Sequence, residues 1–135
     1  MSEAQRVAAE RVARLERALA RLDEVLAMRP QPDHPLADAA IQRFEFSIEL
    51  CWRALQAVLA LELIEARSPR AVLTAAYAQH WIEDEARWLR MVEDRNRTSH
   101  AYNREIAAAI LARLPDHLEA MQVLLRTLRA RLADP

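Results

Sequence analysis

An all-α fold, an antiparallel bundle of about five helices, is what this sequence predicts, and three observations predict it. The 135 residues include no glycine, the usual residue of left-handed turns and phosphate-cradling loops. Apolar residues, mostly Ala and Leu, return every three or four positions along most of the chain. Prolines and small capping residues mark the breaks between those runs. The chain is long enough for one domain, residues 1–135, with a core of its own.

The first helix is expected over about residues 2–28, where Ala8, Val12, Leu15, Leu19, Leu22 and Leu26 form one stripe. Glu10, Arg14, Arg17, Arg21 and Glu24 lie on the opposite side as a solvated face with local ion pairs. "RPQPDHP" holds three prolines and reads as a loop. A second helix follows over about residues 36–65, with Ile41, Phe44, Ile48, Cys51, Leu55 and Val58 as its stripe. Phe46 and Trp52 widen that stripe, which predicts burial on more than one side. Ser68 and Pro69 suit the start of a third helix, ending near residue 79. A fourth is expected over about residues 82–96, with Ile82, Leu89 and Val92 on one side and Trp88 and Met91 adjoining. Asn103 can cap the last helix, and Glu105 suits its first turn. The apolar rhythm then runs unbroken from Ala107 to Leu132 past Pro115, which should kink the helix.

Composition excludes several classes of function. Without glycine there is no Walker or Rossmann phosphate loop. The formal net charge is −1, so no overall basic balance points to nucleic acid, although every basic side chain is Arg. A single cysteine, Cys51, allows no intrachain disulfide, and its place on the apolar stripe makes it a core residue. No run is apolar enough to span a membrane and the first residues are charged, so a cytoplasmic protein is expected.

One stretch breaks the pattern. "MVEDRNRTSHAYNRE" gathers Arg95, Asn96, His100 and Tyr102 at a junction between helices. Arg, four residues, His, one residue, Tyr arises by chance in about one such sequence in a hundred. A purely structural account is available: Arg95 pairs with Glu93 or Asp94, His100 caps a carbonyl and Tyr102 packs. A chemical account fits as well, because two adjoining helix ends bring side chains to one point. Arg95 offers a bidentate phosphate clamp and His100 a proton carrier near neutral pH. Asn96 can fix a side chain or bond a sugar hydroxyl. No carboxylate–histidine spacing suggests a metal site, and no cofactor is expected. His34, His80 and His117 show no ligand spacing and read as surface or boundary residues. Trp52, Trp81 and Trp88 read as packing residues.

"RFEFSIELCWRAL" and "SPRAVLTAAYAQHWIEDEARWLRMVEDRNRTSHAYN" resemble the HEPN superfamily, in the branch of nucleotidyltransferase substrate-binding proteins that includes HepT-type toxins. The resemblance covers about residues 41–132. It rests on Phe44, Glu45, Glu49, Trp52, the Ser68–Pro69–Arg70 step, Trp88 and the Arg95–Asn96 to His100 and Tyr102 motif. It implies a homodimeric helical bundle acting as a metal-independent endoribonuclease, with Arg95 and His100 meeting at the dimer interface. It implies as partner a minimal nucleotidyltransferase encoded nearby, an antitoxin that adds AMP to Tyr102. Other members of the same branch imply instead a non-catalytic substrate-binding subunit of a two-protein nucleotidyltransferase, and a generic helical adaptor is a third reading. Glu45 and Glu49 fit either surface ion pairs or the orienting of Arg95 across the bundle. A dimer whose two-fold axis passes near helix four and "RNRTSH" is expected from the apolar Trp88 and Met91 beside the site.

Overall fold

The computed structural model describes residues 1–134 and contains five α-helices, with no strand among the described residues. They are α1 (Glu3–Ala27), α2 (Pro35–Leu61), α3 (Pro69–Ala78), α4 (Glu85–Arg97) and α5 (Arg104–Ala133). A single 3-10 turn, Thr98–His100, joins α4 to α5.

Each helix starts on a side chain that accepts a backbone N–H left open by the helical pattern. Ser2 and Gln5 form a reciprocal capping box on α1. His34 caps α2, Ser68 α3, Asp84 α4 and Asn103 α5. The helix ends are less ordinary. Arg29, Leu63 and His80 follow α1, α2 and α3 with φ of 51°, 61° and 62°. These are left-handed positions, where glycine is the usual occupant. After α2 the amides of Leu63 and Ile64 bond the carbonyls of Ala60 and Leu59, and after α3 those of His80 and Trp81 bond Tyr77 and Ala76. Both are Schellman closures built on residues that carry a Cβ. Lack of glycine therefore did not remove tight turns. It moved them onto Arg, Leu and His, at about 1–2 kcal/mol each.

The two longest neighbours in sequence, α1 and α2, pack along each other, and α5 lies against both. The predicted stripes form this core: Leu15, Leu22, Phe44, Leu55, Leu114, Met121 and Leu128 are fully buried. Glu10, Arg14, Arg17, Arg21 and Glu24 face outward as expected, with Arg14 bonded to Glu10 at 2.8 Å. The short α3 and α4 pack beside α2, and α4 also touches α5. Cys51 is sealed in the core, and burial pushes its thiol pKa well up.

Two helix boundaries and one burial expectation need correction. Helix α2 ends at Leu61, because the closure at Leu63 stops it before residue 65. Helix α4 begins at Glu85, where Asp84 accepts the Arg87 amide; Ile82 is buried but lies in the preceding loop. Phe46 does not widen the buried stripe: it is 58% exposed, and only Trp52 of that pair is half-buried. Pro115 sits on the outside of α5, where its missing N–H leaves the Leu111 carbonyl without its usual donor while the helix continues to Ala133.

Candidate functional site at the α4–α5 junction

Helix α4 has few apolar anchors. Trp88, Met91 and Asp94 are its buried residues, spaced by three. The next buried side chain is Thr98. One residue past Asp94 the chain points outward, so Arg95, Asn96 and Arg97 are exposed. The Thr98 hydroxyl donates to the Arg95 carbonyl at 2.6 Å and tightens the end of the helix. The 3-10 turn follows, and the Asn103 amide donates to the His100 carbonyl at 2.9 Å. Asn103 then accepts from the amides of Glu105 and Ile106, opening α5. Arg104 pairs with Asp33, which ties this corner to the α1–α2 loop.

The junction thus displays Arg95, Asn96, His100 and Tyr102 on the surface. Tyr102 is 86% exposed. The His100 and Tyr102 rings lie edge to face, 6.1 Å between centroids and inclined at 68°. One wall beside them comes from α2: Asp38, Ile41, Gln42 and Glu45 share a shallow cleft with Thr98 and Ala101. The two carboxylates left open by the sequence now separate. Glu45 lines that cleft half-buried, whereas Glu49 accepts from Trp52 Nε1 at 3.0 Å and from Arg53 at 3.2 Å on another part of α2.

Behind the junction is a group of charges that spacing did not reveal. Asp94, 2% exposed, takes a bidentate pair from Arg113, with Nε to Oδ2 at 2.7 Å and Nη2 to Oδ1 at 2.6 Å. His117 Nε2 meets the same Oδ2 at 2.7 Å. Asp94 is therefore not the partner of Arg95, and His117 is neither a surface nor a boundary residue, being 3% exposed. Its ring stacks on Phe44, 5.4 Å between centroids. Burial pushes the Asp94 carboxyl up, but the hydrogen bonds from Arg113 and His117 and the Arg113 charge outweigh it and hold the pKa below the ordinary range. Burial is the main cause that lowers the His117 pKa; Asp94 opposes it, and the charges of Arg113 and Arg87 add to it. The Asp94 bond raises the Arg113 pKa. A clue was available: His117 falls three residues after Leu114 and four before Met121, on the buried stripe of α5.

Trp88 and Met91 are turned into the chain's own core, at 4% and 0% exposure. They offer no surface to a second copy, so that argument for a two-fold axis beside α4 does not hold. No helix is long and apolar enough to cross a membrane among the described residues.

A five-helix bundle displaying an Arg–x4–His–x–Tyr junction defines a HEPN-like protein of the HepT kind. The family model described as "nucleotidyltransferase substrate binding protein like" matches residues 10–130, and the chain belongs to that family. A probable ribonuclease HepT of Haemophilus influenzae is 34% identical over 101 residues, covering 71% of this chain and 69% of that protein. A crystal structure of a Thermus thermophilus protein superposes with a TM-score of 0.80 at 41% identity, covering 85% of this chain and 98% of that one. A Haemophilus influenzae structure described as the fold of a substrate binding domain of a nucleotidyltransferase superposes with a TM-score of 0.73 at 31% identity, covering 87% and 98%.

Proposed function

We propose that the chain is a metal-independent endoribonuclease of the HepT kind, held in check by a minimal nucleotidyltransferase. The observation that carries this reading is the exposure of Arg95, His100 and Tyr102 together on one anchored junction. Arg95 clamps the scissile phosphodiester through two N–H donors. His100 takes the proton of the 2′-hydroxyl, whose oxygen bonds to phosphorus as the bond to the 5′ oxygen breaks. The products are a 2′,3′-cyclic phosphate and a 5′-hydroxyl. One imidazole serves as base or acid in a given step, so a second His100, from a second copy, supplies the proton to the leaving oxygen. Asn96 holds the sugar or the clamp, and Glu45, which lines the adjoining cleft together with Asp38, orients Arg95.

The partner's role falls on Tyr102. Its hydroxyl attacks the α-phosphorus of ATP, a Tyr–O–P bond forms and pyrophosphate leaves. The added phosphodiester then sits beside His100 and Arg95 and excludes an RNA phosphate by charge and volume. The test is mass spectrometry after incubation with the neighbouring nucleotidyltransferase and ATP. AMP on Tyr102 with loss of cleavage is the expected result; AMP on Tyr77, or a modified chain that cuts RNA at full rate, contradicts it.

A second reading has its own support. A structural relative is described as a substrate binding domain of a nucleotidyltransferase, which favours a non-catalytic subunit that presents a substrate to that enzyme. Expression of the chain alone separates the two: growth arrest relieved by the neighbour supports the ribonuclease, and harmless expression supports the subunit.

A further inference from the structure

We infer that Asp94, Arg113 and His117 form a clamp that sets the rotation of α4 and thereby aims Arg95 and the 3-10 turn bearing His100. The inference uses the proposed function only for what Arg95 and His100 do; the clamp itself stands on geometry. Helix α4 is 13 residues long, and past Met91 its only buried side chain is Asp94. A helix that short is marginal unless its neighbours hold it. Asp94 and Arg95 are consecutive, so whatever fixes one direction fixes the other, about 100° away around the axis. Side chains reach roughly 5–6 Å from a helix axis, so a roll of about 20° moves a tip by about 2 Å. A misplacement of about 1 Å at a reacting centre can cost about a hundredfold in rate. A loose α4 would therefore silence the junction without unfolding the chain.

The clamp is built to resist that roll. The bidentate pair between Arg113 and Asp94 fixes both carboxylate oxygens, at 2.6 and 2.7 Å, and so fixes the carboxylate plane. His117 adds a third bond at 2.7 Å and is itself pinned by its stack on Phe44. The anchor thus passes from α4 to α5 and on to α2, the helix that forms the wall of the surface cleft. His117 Nδ1 is buried with no hydrogen-bond partner among the described residues. A proton there would be buried without an acceptor, so the ring is neutral and donates through Nε2. One carboxylate and one guanidinium then balance, and the imidazole adds a bond without adding a charge. All three are positioning residues, since Asp94 and His117 are buried away from the displayed face.

The experiment compares the wild-type chain with Arg113→Met, which keeps the bond between Asp94 and His117, and with Arg113→Lys, which keeps the charge but not the bidentate geometry. Amide hydrogen exchange is read at residues 95–102 and, as an internal control, at Leu15 and Leu19 in the core. In Arg113→Met, exchange at 95–102 is expected to rise about tenfold or more relative to the control, and the Lys variant to recover part of it. With labelled RNA, kcat is expected to fall about 10–100-fold in Arg113→Met at nearly constant KM. Should the Met variant fail to fold, the Lys variant carries the same measurement. Exchange that rises equally throughout the chain, or that does not rise at 95–102, overturns the clamp. A wild-type chain that leaves RNA intact refutes the ribonuclease reading instead, and the exchange readout still decides the clamp.

Discussion

The α1–α2 hairpin and the α4–α5 junction are held together by different physics. The hairpin is closed by apolar side chains on both helices, and its one buried polar side chain, Ser47, donates back to the Arg43 carbonyl of its own helix at 2.8 Å. The junction has a short, sparsely apolar helix whose last turn is fixed by a buried carboxylate between an Arg and a His. Apolar packing is strong but does not set direction. Hydrogen bonds to charged groups set direction, at the cost of burying charge. The face proposed to aim the Arg95 guanidinium and the His100 imidazole rests on the second kind of support.

The largest effect is expected in the core. Phe44→Ala removes a fully buried ring of α2 and the surface on which His117 stacks, and should cost about 3–5 kcal/mol by urea denaturation. Asp94→Leu should cost less, about 2–3 kcal/mol, because Arg113 is one-third exposed and can turn to water, whereas His117 must lose its partner in place. A smaller cost for Phe44→Ala than for Asp94→Leu would mean that the charge group, not the apolar hairpin, dominates stability.

Acid acts on the buried charge group first. Burial lowers the folded His117 pKa below its ordinary 6.5, so the unfolded chain binds this proton first as pH drops. Its contribution is complete above about 6.5 and is lost progressively as pH falls toward the folded value. The groups facing the ring are Asp94, Arg113, Arg87 and Phe44. Asp94, also lowered, adds a second loss only further down, below its ordinary 3.8. A urea midpoint that falls between pH 7 and 5 in the wild type, and falls less in His117→Gln, is the expected outcome. At the left-handed position after α2, Leu63→Gly removes a Cβ from a strained backbone at a residue 94% exposed. It should stabilise the chain by about 1 kcal/mol, read as a higher thermal midpoint. Tyr102→Phe should change stability least, by under about 0.5 kcal/mol, because the ring is exposed.

The two regions also differ in how far their sequence revealed them. The hairpin was legible because its information is local: a stripe every three or four residues on each helix and a proline loop between them. Where it misled, the cause is specific. Leu63 ended α2 early with no glycine to mark the stop. Phe46 was counted as widening the buried stripe, yet two residues past Phe44 the helix has turned by about 200°, and the ring faces solvent beside Arg43 and Leu50. The displayed face of the junction was also legible, since Arg95, His100 and Tyr102 lie within eight residues. Its support was not. Arg113 and His117 lie 19 and 23 residues from Asp94, and only packing of α5 on α4 brings them together.

RNA cleavage that needs no metal and depends on His100 is the mark of a ribonuclease centre at the junction. The purified chain is incubated with 5′-labelled RNA in EDTA, beside His100→Ala, which alters an exposed side chain and should keep the fold. The wild type is expected to cut and to leave 2′,3′-cyclic phosphate ends, and the variant to lose at least about a hundredfold in rate. Intact RNA with the wild type, or equal cleavage by His100→Ala, would overturn the ribonuclease reading.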